Sequence, residues 1–531
     1  MLNKTLLRPI SWLAFISIAA PAGAAAACEG IDSQPDKQRV FSEAWGTRYN
    51  GQRFQSAENT SINAETAPGL TLKWAYGLST DSPRSYPLVT SDTLFIGDGG
   101  RGLVALDRET GCVRWENNQV KDISTAIVPA TIDGQPALVF SQRYSGVYAA
   151  SAATGKILWH SHITRNPVPM YSGTPLVFSN KVFVPISSQE IALSFNPFYG
   201  CCTTSGAMAA LDIQTGELLW YRPTIKQEPR VTGRHFLFVE KQGPSGAPVW
   251  GAPMLDTERG LLVFGTGQNY SHPATQTSDA IFAVHIETGE IAWVSQFTAN
   301  DAYNMACEIS PAHPNCPAGL GPDLDFGAPP IKVSLASGKD LYLAGQKSGD
   351  IYAIEPETGE TVWATKIGAG GKLGGIHWGM AASESLGLLF VPISDVRSEN
   401  DDPGRNPGLH ALRLNDGTIK WSLQRQNQCT EPTCWTGLSS AISAGPGIVV
   451  TGGLDGVLEV VGADDGKRLW SFNTNREFTA VNNIPTKGGG IDAHGPMLAD
   501  NLLIVSSGYG SFFQEGGNAL LVFSIAEGVS P

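Results

Sequence analysis

The chain has 531 residues, of which only 16% are charged, and a formal net charge of −13. That balance leaves no basic footprint for nucleic acid and argues against such a partner. With 60 glycines and 34 prolines, the composition suits many short strands joined by turns and excludes long helices or a largely disordered chain.

The first residues carry Lys4 and Arg8, then an apolar stretch, then a run of alanines ending at Cys28. This pattern predicts a signal peptide over 1–27 and export to the periplasm. No later run approaches the eighteen or so apolar residues that span a bilayer, so no transmembrane segment is expected. A single domain is expected over 28–531.

From about residue 70 one phrase keeps returning: an apolar strand, a Thr-Gly or Asp-Gly turn, and a second strand closing on tryptophan. The copies include VALDRETGCVRW ending at Trp115, AALDIQTGELLW at Trp220 and YAIEPETGETVW at Trp363, with others closing at Trp159, Trp293, Trp421 and Trp470. Each reads as a β-hairpin, with glycine supplying positive φ at the turn. A bare propeller blade needs roughly 40 to 50 residues, and these units fit that length better than a helical solenoid does. Half a phrase stands at each end: LTLKWAYG with Trp74 is a tryptophan strand without its partner, and NALLVFSIAEG near the C-terminus is the partner without its tryptophan. Joined, they make an eighth blade and close the ring, which removes exposed sheet edges. The predicted fold is all-β, an eight-bladed propeller of four-stranded antiparallel blades. The stretches between Trp159 and Trp363 exceed the bare blade length, so the chemistry is expected in their loops.

Eight cysteines in an exported chain suggest disulfides. Cys307 with Cys316 and Cys429 with Cys434 are each placed to staple a loop, which leaves Cys28 and Cys112 as a third pair. Cys201 and Cys202 either bond to each other or pair with distant partners; the adjacent bond is favoured. No C-x-x-C-H motif is present, so no covalently held haem is expected in this chain.

The phrase A-x-D-x-x-T-G-x-x-x-W resembles the repeat of the pyrroloquinoline quinone (PQQ) dehydrogenases, an eight-bladed propeller family. AWGTRYNGQRFQ (44–55), FGTGQNYS (264–271) and GQKSGDIYAIEPETG (345–359) resemble three further family segments. TANDAYNMAC, Cys201-Cys202, GPDLDFGAPP, GGIHWGMA and SSGYGSF look most like the polyvinyl alcohol dehydrogenases. The resemblance implies a periplasmic PQQ-dependent alcohol dehydrogenase acting on alcohols, secondary or polymeric ones included, by hydride transfer to the quinone, with electrons passed to a separate cytochrome c. The rival reading is a repeat propeller without cofactor that serves as a protein-binding scaffold.

PQQ is a flat trianion, so its holder needs aromatic faces and cations. By resemblance, Trp250 is the residue on which the quinone stacks and Lys347 the cation beside its carbonyls. The adjacent cysteines Cys201 and Cys202 are expected over the ring, Arg84 at a cofactor carboxylate, and His377 and Trp378 in the pocket wall. Calcium prefers oxygen ligands, and Glu190, Gln268, Asn269 and Asp301 are the expected set. By the same resemblance the family's catalytic aspartate falls on Asn304, which cannot accept a proton usefully; Asp301, three residues earlier, is therefore the expected general base.

Overall fold

The computed structural model describes residues 39–235, 238–396, 404–425, 435–511 and 514–525. The expected leader over 1–27, Cys28 and the Cys429–Cys434 pair lie outside them. The architecture is eight antiparallel blades arranged in a ring, as predicted, each of four strands, with the short strand Pro169–Met170 added to the third. The first blade is typical: Leu88–Val89, Thr93–Asp98, Gly102–Asp107 and Val113–Asn117 pair in sequence order. The last is composite, for Leu70–Gly77 pairs antiparallel with Ala519–Ile525 and sets Trp74 opposite Val522. The two half-phrases therefore join as expected.

Why the phrase repeats is visible in where its tryptophan goes. The indole does not fold back on its own hairpin; it lies across the glycine turn of the next blade. Trp115 covers Gly155, Trp220 covers Gly289 and Trp293 covers Gly359, and a Cβ on any of these glycines would sit 2.4 to 2.6 Å from a ring carbon. The same glycines hold φ of +66° to +76°, so the position excludes a side chain twice over. The indole N–H then donates to a carbonyl of the same neighbouring turn, as from Trp159 to Ile213, Trp293 to Pro356 and Trp421 to Ala463, at 2.8 to 3.1 Å. The aspartate of the phrase shapes the turn: Asp107 accepts from the Thr110 amide and hydroxyl at 2.9 and 2.8 Å, an Asx-type closure. Trp470 has no glycine turn to meet among the described residues, because the eighth blade is split there, and it donates instead to Leu70 at 3.0 Å.

A segment ahead of the blades threads the axis. Tyr49, Asn50, Gln52 and Arg53 offer carbonyls to the amides of Leu255, Lys332, Ala382 and Ala444 in turn, and the Gln55 side chain donates to Leu498. Each partner lies on the innermost strand of a successive blade. Arg53 is buried beneath this crossing, with its guanidinium on the carbonyls of Ile442, His494 and Pro496 and over the Trp45 ring at 4.4 Å. The axial channel is thereby floored, and what remains above is a funnel. Blades three to five carry the long inserts, as the phrase spacing predicts: a short helix at Glu190–Leu193, the Arg230–Arg234 and Glu240–Gly243 hairpin, and a second short helix at Ala306–Ile309.

The glycine–indole contact predicts a matched pair of outcomes. Gly289→Ala meets both the positive φ and the Trp220 ring, and should cost about 2–4 kcal/mol. Gly134→Ala, at φ +74° with nothing within 4 Å of the new methyl, should cost only about 1–2 kcal/mol. Urea unfolding of the two variants measures the difference.

Candidate active site

Trp250 stands in the funnel. Gly327 lies beneath it so closely that a Cβ there would fall 1.9 Å from the indole, while His377 and Trp378 meet it edge-on at ring distances of 5.9 and 5.4 Å. Lys347 Nζ sits 5.5 Å above the same ring. Its position is fixed by two carboxylates, Asp323 at 3.2 Å and Asp325 at 2.9 Å. Asp325 also accepts from Trp250 Nε1 at 3.0 Å and from the Gln268 backbone N–H at 2.9 Å, so one side chain orients the aromatic platform, the cation and the backbone of the expected metal ligand together. Trp250, Lys347, His377 and Trp378 are thus brought to one place.

Electrostatics in this cluster are unusual. Burial pulls the Lys347 ammonium down, yet Asp323 and Asp325 outweigh it and hold the group above its ordinary range. Burial drives the Asp323 carboxyl up to about 7, with Lys347 opposing and the Asp325 and Asp301 charges reinforcing the rise. His377 is pushed down to about 3 by burial and then by Lys347, so it stays neutral in any physiological medium, with Nδ1 2.8 Å from the Ser439 hydroxyl. Asp279, fully buried with no partner for either oxygen, is raised well above the usual carboxylate range by burial and then by Asp301.

The expected base is placed differently. Asp301 accepts the backbone N–H groups of Asp323 and Leu324 at 3.2 and 2.9 Å. It caps the loop that presents Asp323, and the carboxylates that face Lys347 are Asp323 and Asp325. Asn304 is taken up on all sides: its amide donates to the Tyr270 and Asn315 carbonyls and its oxygen accepts from Ala306. The missing carboxylate there leaves a brace between loops. Asp323 and Asp325 are the residues that reading by position passed over. Alternate residues of an extended run point to one side, and Asp323, although its backbone turns at φ +60°, and Asp325 both reach Lys347.

The expected metal ligands also separate. Gln268 Oε1 is buried and without a partner, which fits an amide oxygen awaiting a hard cation. Asn269 is a loop brace: its oxygen accepts the Thr275 N–H at 2.8 Å and its amide donates to Ser245 at 2.9 Å. Both oxygens of Glu190 are engaged, by Tyr199 and Thr203 on one side and by Thr204 and the Thr203 amide on the other. It binds the 199–204 loop, and an oxygen would reach a cation only by exchange with one of these donors. That loop carries Cys201 and Cys202, bonded to each other, buried against Tyr270, Tyr199 and Ile191. Cys307 and Cys316 are also bonded, as expected, and Cys112 is in a disulfide.

On the far side of the funnel Arg84 donates to Ser511 at 2.7 Å and lies over Tyr509 at 5.6 Å, and Tyr509 reaches Trp378 at 6.5 Å. Arg143, not singled out in the sequence, adds a second guanidinium. It is lowered by burial and then by the charge of Arg84, and its Nε is buried without a partner. Two neighbouring cations with an open donor, beside buried, unpartnered hydroxyls at Ser124 and Ser172, fit the carboxylates of a flat polyanion such as PQQ.

An all-β ring of eight indole-locked blades, with an aromatic platform between a lysine–aspartate cluster and paired arginines, defines a quinoprotein-type propeller. The family described as PQQ_2, outer membrane protein assembly factor BamB, matches residues 58–293 and 347–487. Polyvinylalcohol dehydrogenases from Pseudomonas sp and from Sphingopyxis sp. (strain 113P3) are each 34% identical to this chain, over 91% of it and 76% of their own length. The quinohemoprotein alcohol dehydrogenase from Comamonas testosteroni shares the fold at a TM-score of 0.66 and 18% identity, covering 92% of this chain and 80% of that one. The chain belongs to the quinoprotein alcohol dehydrogenases, in the polyvinyl alcohol dehydrogenase branch.

Arg143→Ala should weaken PQQ binding about a hundredfold through loss of one charge-assisted contact to a carboxylate. Quenching of tryptophan fluorescence on titration with PQQ reads this directly.

Proposed function

We propose that this chain oxidises alcohols, including secondary and polymeric ones, with PQQ as acceptor and Asp323 as the general base. The observation that carries the reading is the buried Lys347–Asp323–Asp325 cluster against Trp250. Burying three charges together is expensive unless they are used, and a scaffold propeller that binds only proteins at its surface has no use for them. PQQ, when bound, supplies the two-electron acceptor for the carbinol hydride. The protein does the rest. Trp250 offers the flat platform, Arg84 and Arg143 the counter-charge, and Gln268 Oε1 an open oxygen for calcium, with Glu190 joining by exchange. Lys347 bonds Asp323 through Oδ1 and leaves Oδ2 for the alcohol hydroxyl. A carboxyl titrating near neutrality is well matched to take that proton, and neutral His377 and Trp378 close the wall against water. Electrons then pass to a separate cytochrome c in the periplasm. No helix among the described residues is long and apolar enough to cross a membrane.

Reconstitution of the full chain with PQQ and calcium, followed by dye reduction across primary, secondary and polymeric alcohols, tests the activity. Asp323→Asn should lower kcat at least a thousandfold while PQQ stays bound; Asp301→Asn should keep turnover within about tenfold and lose stability instead. The reverse ranking would return the base to Asp301. Because Asp323 must be ionised to act, kcat/KM should fall as pH drops through about 7, and Lys347→Met, by removing the charge that holds Asp323 down, should move that limb to higher pH. An unchanged limb in the variant would separate the profile from Asp323.

A further inference from the structure

The two inserts that wall the funnel carry an exposed apolar strip. Phe195 and Phe198 project from the loop after Glu190, and Met305, Ile309 and Leu320 from the loop around the Ala306–Ile309 helix, with exposures from 36% to 58%. The loops are tied into one platform: Met305 donates to the Ile191 carbonyl, and the Asn315 amide holds the carbonyls of Ser194, Asn196 and Tyr199 at 2.9 to 3.1 Å. The platform is continuous with the site, since Gln268 Nε2 donates to the Tyr303 carbonyl, Gly321 bonds Ala302, and Leu320 stands three residues before Asp323.

The chemistry of this strip is narrow. Between Glu190 and Asp212 the sequence has no charged side chain, and between Glu308 and Asp323 only His313 can carry one. What it does carry is an amide and a hydroxyl beside the apolar groups, at Asn196 and Ser310. A redox protein partner would be steered by a field of unpaired charge, and the strip holds one carboxylate, Glu308, which pairs with Lys372 at 2.7 Å. A neutral chain with a hydrocarbon backbone and regularly spaced hydroxyls matches both features: apolar burial along its methylenes and hydrogen bonds along its edge.

Resting on the alcohol-oxidising reading above, we infer that the Phe195–Phe198 and Met305–Leu320 loops form an extended subsite that holds a neutral polyol chain while one of its carbinols enters the funnel. The subsite acts on polymer and not on short alcohols. The full chain without cofactor should therefore bind polyvinyl alcohol in isothermal titration, and Phe195→Ser/Ile309→Ser should weaken that binding roughly tenfold. Phe195→Leu/Ile309→Leu, which keeps the apolar surface, should bind as the parent does, and all three proteins should melt alike. After loading with PQQ and calcium, the serine pair should raise KM for the polymer and leave kcat/KM for 2-pentanol unchanged.

Polymer binding unaffected by the serine pair, or equal loss toward 2-pentanol, would overturn the subsite. So would a serine pair that slows reduction of a c-type cytochrome while polymer binding holds, which would give the strip to a protein partner. If the loaded parent oxidises no alcohol yet its polymer binding still depends on these side chains, the subsite stands and the catalytic reading fails.

Discussion

The ring is held by one contact repeated: an indole laid across the backbone of a glycine turn that belongs to the next sheet. Each blade alone is a small four-stranded sheet that cannot bury both faces. The contact makes each fourth strand the clamp on its neighbour, and it fixes angle as well as distance, because the N–H must also reach the turn carbonyl. Apolar clusters run from blade to blade along these seams, as where Trp293 joins Tyr342 and Ile354 across two sheets. Every later feature inherits that rigidity. Loops on blades three to five grow long without loosening the ring, and the residues they present stay in register across the axis.

Against this frame the site is built from polar groups that the fold leaves in tension. Lys347 is outnumbered by Asp323 and Asp325, Asp279 has no partner at all, and two arginines face each other across from an open hydroxyl pair. In a scaffold such groups would be replaced by apolar residues at little loss. Their retention in the funnel, with orphaned atoms at Gln268 and Arg143, is the mark of a cavity shaped for charged occupants. Neutral His377 and Trp378, both edge-on to Trp250, add a low-dielectric wall, in which each remaining charge acts over a longer range.

Much of the fold was legible because its determinants are local: an Asx turn, a glycine, and a tryptophan at fixed spacing. The eighth blade was legible for the same reason, since half a hairpin at each end has only one partner to find. Trp250, Lys347, Gln268 and His377 were also readable by position and do meet in the funnel. Asp301 was singled out because it lay nearest to the place where an acid was missing, yet proximity in sequence says nothing of which carboxylates turn toward the lysine, and those are Asp323 and Asp325. Glu190 and Asn269 show the other limit. Their oxygen chemistry suits a cation, but it equally suits backbone amides six to fourteen residues away, and only the folded loops reveal which partner was used. Arg143 carried no motif, and its signal is an absence of counter-charge that no linear reading displays.

The composite blade sets an order of events for a chain made from its N-terminus. Leu70–Gly77 is among the first strands to leave the ribosome, but its partner, Ala519–Ile525, is among the last. Until then one sheet edge waits with its amides unsatisfied, next to seven sheets able to assemble without it. Ring closure is thus a late, long-range step: premature truncation anywhere upstream yields an open arc with two unguarded borders, while the completed molecule has none.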